Sequence, residues 1–81
     1  MTASIHTTRY RFLRDFLTEA RKSQGLSQES LAEKLGRVQT FVSKYERGER
    51  RLDVVELLDV AEALQLDASD LIRQLLAMDG P

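Results

Sequence analysis

The sequence predicts an all-α fold of five short helices in a single domain. Three observations predict it. Apolar residues recur at steps of three and four along most of the chain, and no stretch alternates with the period of a strand. Helix-starting residues precede these stripes at Ser27, Asp53 and Asp67, and helix-stopping glycines follow them at Gly25, Gly36 and Gly48. Eighty-one residues with 42% apolar content suit one small core, burying roughly 60–65% of the surface that the unfolded chain exposes.

The first helix, α1, is expected at about residues 7–24. Tyr10, Leu13, Leu17 and Ala20 form its stripe, and Phe12 and Phe16 widen it. So broad an arc predicts either deep burial of both phenylalanines or a second contact surface. Arg21 and Lys22 in the last turn suit the negative end of the helix dipole. The second, α2, is expected at about 27–35, capped by Ser27 with Glu29 in its first turn. The third, α3, follows Gly36 at about 39–47. The fourth, α4, at about 53–64, opens on Asp53, and Glu56 three residues on completes a capping box. It is expected to bury Val54, Leu57, Leu58, Ala61 and Leu64. The fifth, α5, at about 68–77, is capped by Asp67 and carries Leu71, Ile72, Leu75 and Leu76 as its apolar stripe. Residues 1–6 and 78–81 lack periodicity and are expected to be flexible.

The stretch Gln28 to Arg47, QESLAEKLGRVQTFVSKYER, organises the rest. Counted from Gln28, the small Ala32 falls at position 5, Gly36 at position 9 and the branched Val42 at position 15. A small residue lets two helices cross closely. A glycine accepts the positive φ that a sharp turn needs. A branched apolar residue locks the second helix on the first. Together these spacings are the helix-turn-helix signature.

Composition narrows the function. There are no cysteines, so neither a disulfide framework nor a thiolate metal site is available. The single histidine, His6, lies in the N-terminal arm. No Ser/His/Asp set, glycine-rich phosphate loop or metal-ligand spacing appears, which argues against an enzyme, and no cofactor or metal is implied. No apolar run approaches the ~20 residues of a membrane span, and no charged-then-apolar leader opens the chain, so a cytoplasmic location is expected. The net charge of −1 speaks against a polyanion partner, but its distribution speaks for one. Residues 21–51 carry eight basic and four acidic side chains, whereas residues 52–81 carry one basic and seven acidic. A basic centre fits a protein that presents one face to a polyanion; an ordinary mixed surface is the plainer alternative.

The stretch RKSQGLSQESLAEKLGRVQTFVSKYERGERRLDVVELLDVAEAL resembles the repressor-and-Cro (XRE-like) helix-turn-helix family of bacteria and phages. The resemblance covers about residues 13–76. It rests on Ser27-Gln28-Glu29, Leu31-Ala32, Leu35-Gly36, Val42-Ser43-Lys44, Glu46-Arg47-Gly48 and a late Leu64. It implies a five-helix lambda-repressor-like domain and sequence-specific binding of double-stranded DNA in transcription control. It also implies that Gln28 contacts phosphate, and that Arg21, late in α1, pairs with Glu46, late in α3. One position departs from the pattern. Val38 stands where Ser, Thr or Pro is common, and it can neither cap α3 nor pre-set its first turn.

Stepped at about 100° per residue, α3 places Val42, Tyr45 and Glu46 inward. Gln39, Thr40, Ser43, Lys44 and Arg47 fall outward. This outer face is wholly polar. Gln39 matches the two groups of adenine in the major groove, Lys44 the acceptors of guanine, and Thr40 and Ser43 bond either way. Gln39, Thr40, Ser43 and Lys44 are therefore the expected base-reading residues. Phe41 falls between the faces, either buried against α4 or touching a thymine methyl. Gln28 opens α2, where free N–H groups favour an anion. Arg37, Arg47, Arg50 and Arg51 flank α3 and supply phosphate contacts, which hold register without reading sequence. Arg50 and Arg51 have Glu49 and Asp53 as alternative partners. An unpaired Glu46 on the inward side would be costly, so the Arg21–Glu46 pair is expected to be partly buried.

A single helix-turn-helix covers little DNA, so a homodimer on two half-sites is expected. Leu71, Ile72, Leu75, Leu76 and Met78 are the expected dimer surface, with Phe12 or Val55 contributing; completing the monomer core is the other use for them. A protein-interaction module remains the alternative function. An antitoxin or a transcription adaptor would use the same fold, with the acidic α4 and α5 as its surface.

Overall fold

A computed structural model describes residues 7–78. Five helices follow one another: α1 Thr8–Ser23, α2 Gln28–Leu35, α3 Gln39–Glu46, α4 Val54–Ala63 and α5 Ala68–Ala77. Of the segments expected to be flexible, 1–6 and 78–81, residues 1–6 and 79–81 lie outside the described residues, and Met78 is the C-cap of α5. Elsewhere the expected limits differ by about one residue, because the expected ranges include the cap residues.

The caps explain where each helix starts. Thr7 accepts the Tyr10 N–H, Ser27 the Ser30 N–H at 2.9 Å, and Asp67 the Asp70 N–H. Asp53 accepts the Glu56 N–H at 2.7 Å while Glu56 accepts the Asp53 N–H at 3.0 Å, which closes the capping box in both directions. Val38 at the start of α3 makes no such bond. The C-terminal stops of α1 to α4 share one geometry. At Gly36, φ is 68°, and the N–H groups of Gly36 and Arg37 fold back onto the carbonyls of Glu33 and Ala32. The same pair of bonds recurs after α4, where Gln65 rather than glycine holds φ at 59°.

The helices pack α2 on α3, with α1 and α4 on either side and α5 closing against α1 and α4. Leu17, Leu31, Val42, Tyr45, Val60, Leu64 and Leu71 are the centre of the core, all essentially sealed from solvent. Ala32, also buried, lies in the α2–α3 pair. Each fully buried leucine contributes about 1.5–3 kcal/mol of apolar burial. Arg9 donates to the Met78 carbonyl at 2.9 Å and ties the end of α5 to the start of α1. No described helix is long and apolar enough to cross a membrane.

Burial corrects three expectations. Phe12 and Phe16 are half-buried, with their rings tilted against each other at 5.8 Å along a shallow groove with Ala20 and Leu66. The inward arc of α1 is the narrower set Tyr10, Leu13, Leu17 and Arg21. On α4, Val54 and Leu58 are exposed and Val60 is buried in their place. The helix offers two overlapping stripes, and packing selects Leu57, Val60, Ala61 and Leu64. On α5, Leu71 is only 1% exposed and belongs to the core, so it does not supply dimer surface. Ile72 and Leu76 face solvent, while Leu75 and Met78 are half-buried.

Candidate nucleic-acid interface

The start of α3 and the loops on either side of it form one basic, concave surface. Arg37, Val38, Thr40, Phe41, Lys44, Glu49 and Arg50 line a shared shallow groove. Gln39, Thr40 and Lys44 are exposed, and their side chains are available to a ligand laid along the helix. Ser43 is not. It is 7% exposed and its hydroxyl donates weakly to the Thr40 carbonyl at 3.4 Å. This short helix sinks deeper than its polar pattern suggests, because Phe41, Val42, Ser43 and Tyr45 are all buried. A polar residue small enough to tolerate burial looks outward in a helical projection.

The pair expected from the resemblance is present as geometry. Arg21 Nε donates to Glu46 Oε2 at 2.7 Å and Nη2 donates to Oε1 at 3.0 Å, with both side chains buried. Arg21 Nη1 also donates to the Leu26 carbonyl at 2.7 Å. The hydrogen bonding of Arg21 to the Glu46 carboxylate is the largest effect raising the Arg21 pKa. A burial that would be costly for either charge alone is thereby offset. The pair also reaches the surface. Gln28 Nε2 donates to Glu46 Oε1 at 2.9 Å, and Gln39 Nε2 donates to Gln28 Oε1 at 3.3 Å. Four side chains thus run from the buried pair to the first residue of α3. Gln28 holds its place through Glu46 rather than as a lone residue at a helix start.

The arginines are more organised than their spacing implies. Arg47 pairs through Nε and Nη2 with Glu49, both exposed. Arg50 does not pair with Glu49 or Asp53. It donates Nη1 and Nη2 to Glu56 at 2.8 and 2.7 Å, and Arg37 Nη2 approaches the same carboxylate at 3.5 Å. The Arg50 hydrogen bonds, then the Asp53 N–H, hold the Glu56 carboxyl down at about 2. Arg51 lies over the Tyr10 ring, 4.8 Å from its centroid. Phe41 is buried and packs edge-on against Tyr45 of the same helix. Its face carries the Arg37 and Arg50 guanidiniums, 4.0 and 4.8 Å from the ring centroid. Glu56 was legible only as a cap. Nothing local in the sequence signals that it reaches back to Arg50, six positions earlier.

The same fold is found in known proteins. The helix-turn-helix family profile matches residues 17–71. An XRE-family like protein from Pseudomonas syringae is 48% identical, with a TM-score of 0.81 over 86% of this chain and 85% of that one. The restriction-modification controller protein C.AhdI from Aeromonas hydrophila is 37% identical, with a TM-score of 0.68 over 74% and 87% of the two chains. The clp gene regulator ClgR from C. glutamicum is 25% identical, with a TM-score of 0.71 over 84% and 86%. No curated protein matches the chain significantly by sequence. With its motif spacing, five-helix fold and structural relatives in agreement, the chain belongs to the XRE-like helix-turn-helix family.

Proposed function

We propose that this chain is a small transcriptional regulator that binds double-stranded DNA as a homodimer and reads the major groove with α3. One observation carries the reading: exposed Thr40 and Lys44 line a concavity together with Arg37 and Arg50, and Gln39, the first residue of the same helix, is exposed as well. Lys44 suits the guanine acceptors and Gln39 the paired donor and acceptor of adenine. Arg37, Arg47, Arg50 and Arg51 supply charge for the flanking phosphates, and Gln28 adds a neutral donor. Ser43 supports the helix from within. The relatives named as a controller protein and a gene regulator point the same way.

The second copy docks on the exposed apolar side chains of α4 and α5. Ile72 is 41% exposed, Leu76 69% and Val55 64%. Left in water, such a surface favours association. Selection of binding sites from a pool of random duplexes tests the reading. Enrichment of an inverted repeat, with half-sites about one helical turn apart, is the expected result. A folded protein that enriches nothing at low salt overturns it.

A further inference from the structure

We propose that Glu56 and Phe41 are positioning residues that hold Arg37 and Arg50 as one preformed phosphate clamp at the edge of the groove-reading surface. The proposal rests on the DNA-binding reading and adds two residues that need not touch DNA themselves.

Three observations carry it. First, the Glu56 carboxylate is fully engaged. Oε1 accepts the Asp53 N–H at 3.0 Å and Arg50 Nη1 at 2.8 Å; Oε2 accepts Arg50 Nη2 at 2.7 Å and faces Arg37 Nη2 at 3.5 Å. Because the first of these bonds is half of the α4 capping box, the carboxylate cannot swing away without breaking the box. Second, Phe41 is locked edge-on against buried Tyr45, so the ring under both guanidiniums is fixed as well. Third, the bonds leave Arg50 a usable edge. Glu56 takes one proton of each Nη, and the Arg51 carbonyl takes another from Nη1 at 2.9 Å. The side-on edge, Nε–H with the second Nη2 proton, lies outside these bonds and has the spacing of two phosphate oxygens.

The bland account is that Glu56 caps α4 and neutralises a surface arginine. The two accounts predict opposite signs. An acidic side chain beside a polyanion should repel it, so removing the charge should tighten binding. A positioning role predicts that removing it loosens binding, because Arg37 and Arg50 then lose their fixed geometry and repel each other.

The deciding measurement is the dissociation constant for a mixed-sequence duplex of about 30 base pairs, enough for two half-sites, across a salt series. Glu56→Gln is the primary variant, since glutamine keeps the capping-box acceptor. Expected is binding about fivefold weaker, as a charge-assisted bidentate interaction is loosened, with the log–log salt slope shallower by about 0.9 for each phosphate no longer neutralised. In an Arg50→Ala background the same substitution should weaken binding less, because only Arg37 is left for Glu56 to hold. Phe41→Leu, which keeps apolar volume but removes the ring, should weaken binding in the same direction. Arg50→Lys, which keeps the charge and loses the fork, supplies the readout should Glu56→Gln unfold. Folded Glu56→Gln protein that binds as tightly as wild type, or tighter, overturns the clamp and leaves the DNA reading standing; so does an unaltered Arg50→Lys. Wild-type protein that binds no duplex at low salt overturns the reading beneath it, and the clamp with it.

Discussion

Glu46 shows how one side chain serves both folding and site. It accepts from Arg21 and Gln28, and its own side chain is buried. Glu46→Ala leaves the Arg21 guanidinium buried and unpaired, a change that costs about 3–5 kcal/mol in buried pairs. For a domain of this size each kcal/mol moves Tm by about 4–8 °C, so thermal unfolding should show a fall of more than about 10 °C. DNA affinity should fall too, since Gln28 loses its anchor. An unchanged Tm would refute the pairing account. At this scale the resemblance gave the two partners, because the family motif names both positions. The bonds that continue from Glu46 to Gln28 and Gln39 depend on rotamers, which no spacing encodes.

Among the elements, α3 is the least supported at its start. The other four helices each have a side-chain cap, whereas Val38, 70% exposed with φ −78° and ψ 155°, has the backbone of a cap and no acceptor. Val38→Ser supplies the acceptor without moving the chain. It should stabilise the domain by about 1 kcal/mol, read as a Tm increase of about 4–8 °C. No increase would mean that the N–H groups of the first turn are already satisfied. Gly48, with φ 79°, illustrates the opposite end of the helix: a Cβ there would run into the Arg14 guanidinium, which donates to the Glu46 carbonyl. Helix limits were legible to about one residue because caps and glycines are local signals. Which stripe of α4 turns inward was not. Val54 and Leu58 are as apolar as Val60, and only packing against α2 and α5 chooses between them.

For the whole molecule, none of the exposed apolar residues of α4 and α5 lines the basic groove, and the proposed docking of a second copy on them is tested by mass. Sedimentation at tens of micromolar should give a dimer mass for the wild type. Leu76→Glu should give a monomer that stays folded, because Leu76 is outside the core. A wild-type monomer at that concentration would count against the docking face. Charge distribution belongs to this scale as well. The near-neutral total conceals a basic centre and an acidic C-terminal third, and only the folded chain gathers Arg37, Lys44 and Arg50 into one concavity.

By itself the sequence determined the class, the helix count, the turn at Gly36 and the family, since each depends on residues close together in the chain. It also named the basic and polar residues around α3. Tertiary structure decided the rest: that Ser43 and Phe41 are buried, that Leu71 belongs to the core, and that Glu56 gathers two arginines. These outcomes depend on how far each helix sinks into its neighbours and on contacts between residues remote in sequence. A pattern of period 3.6 specifies a direction round a helix axis but not the depth of burial along it.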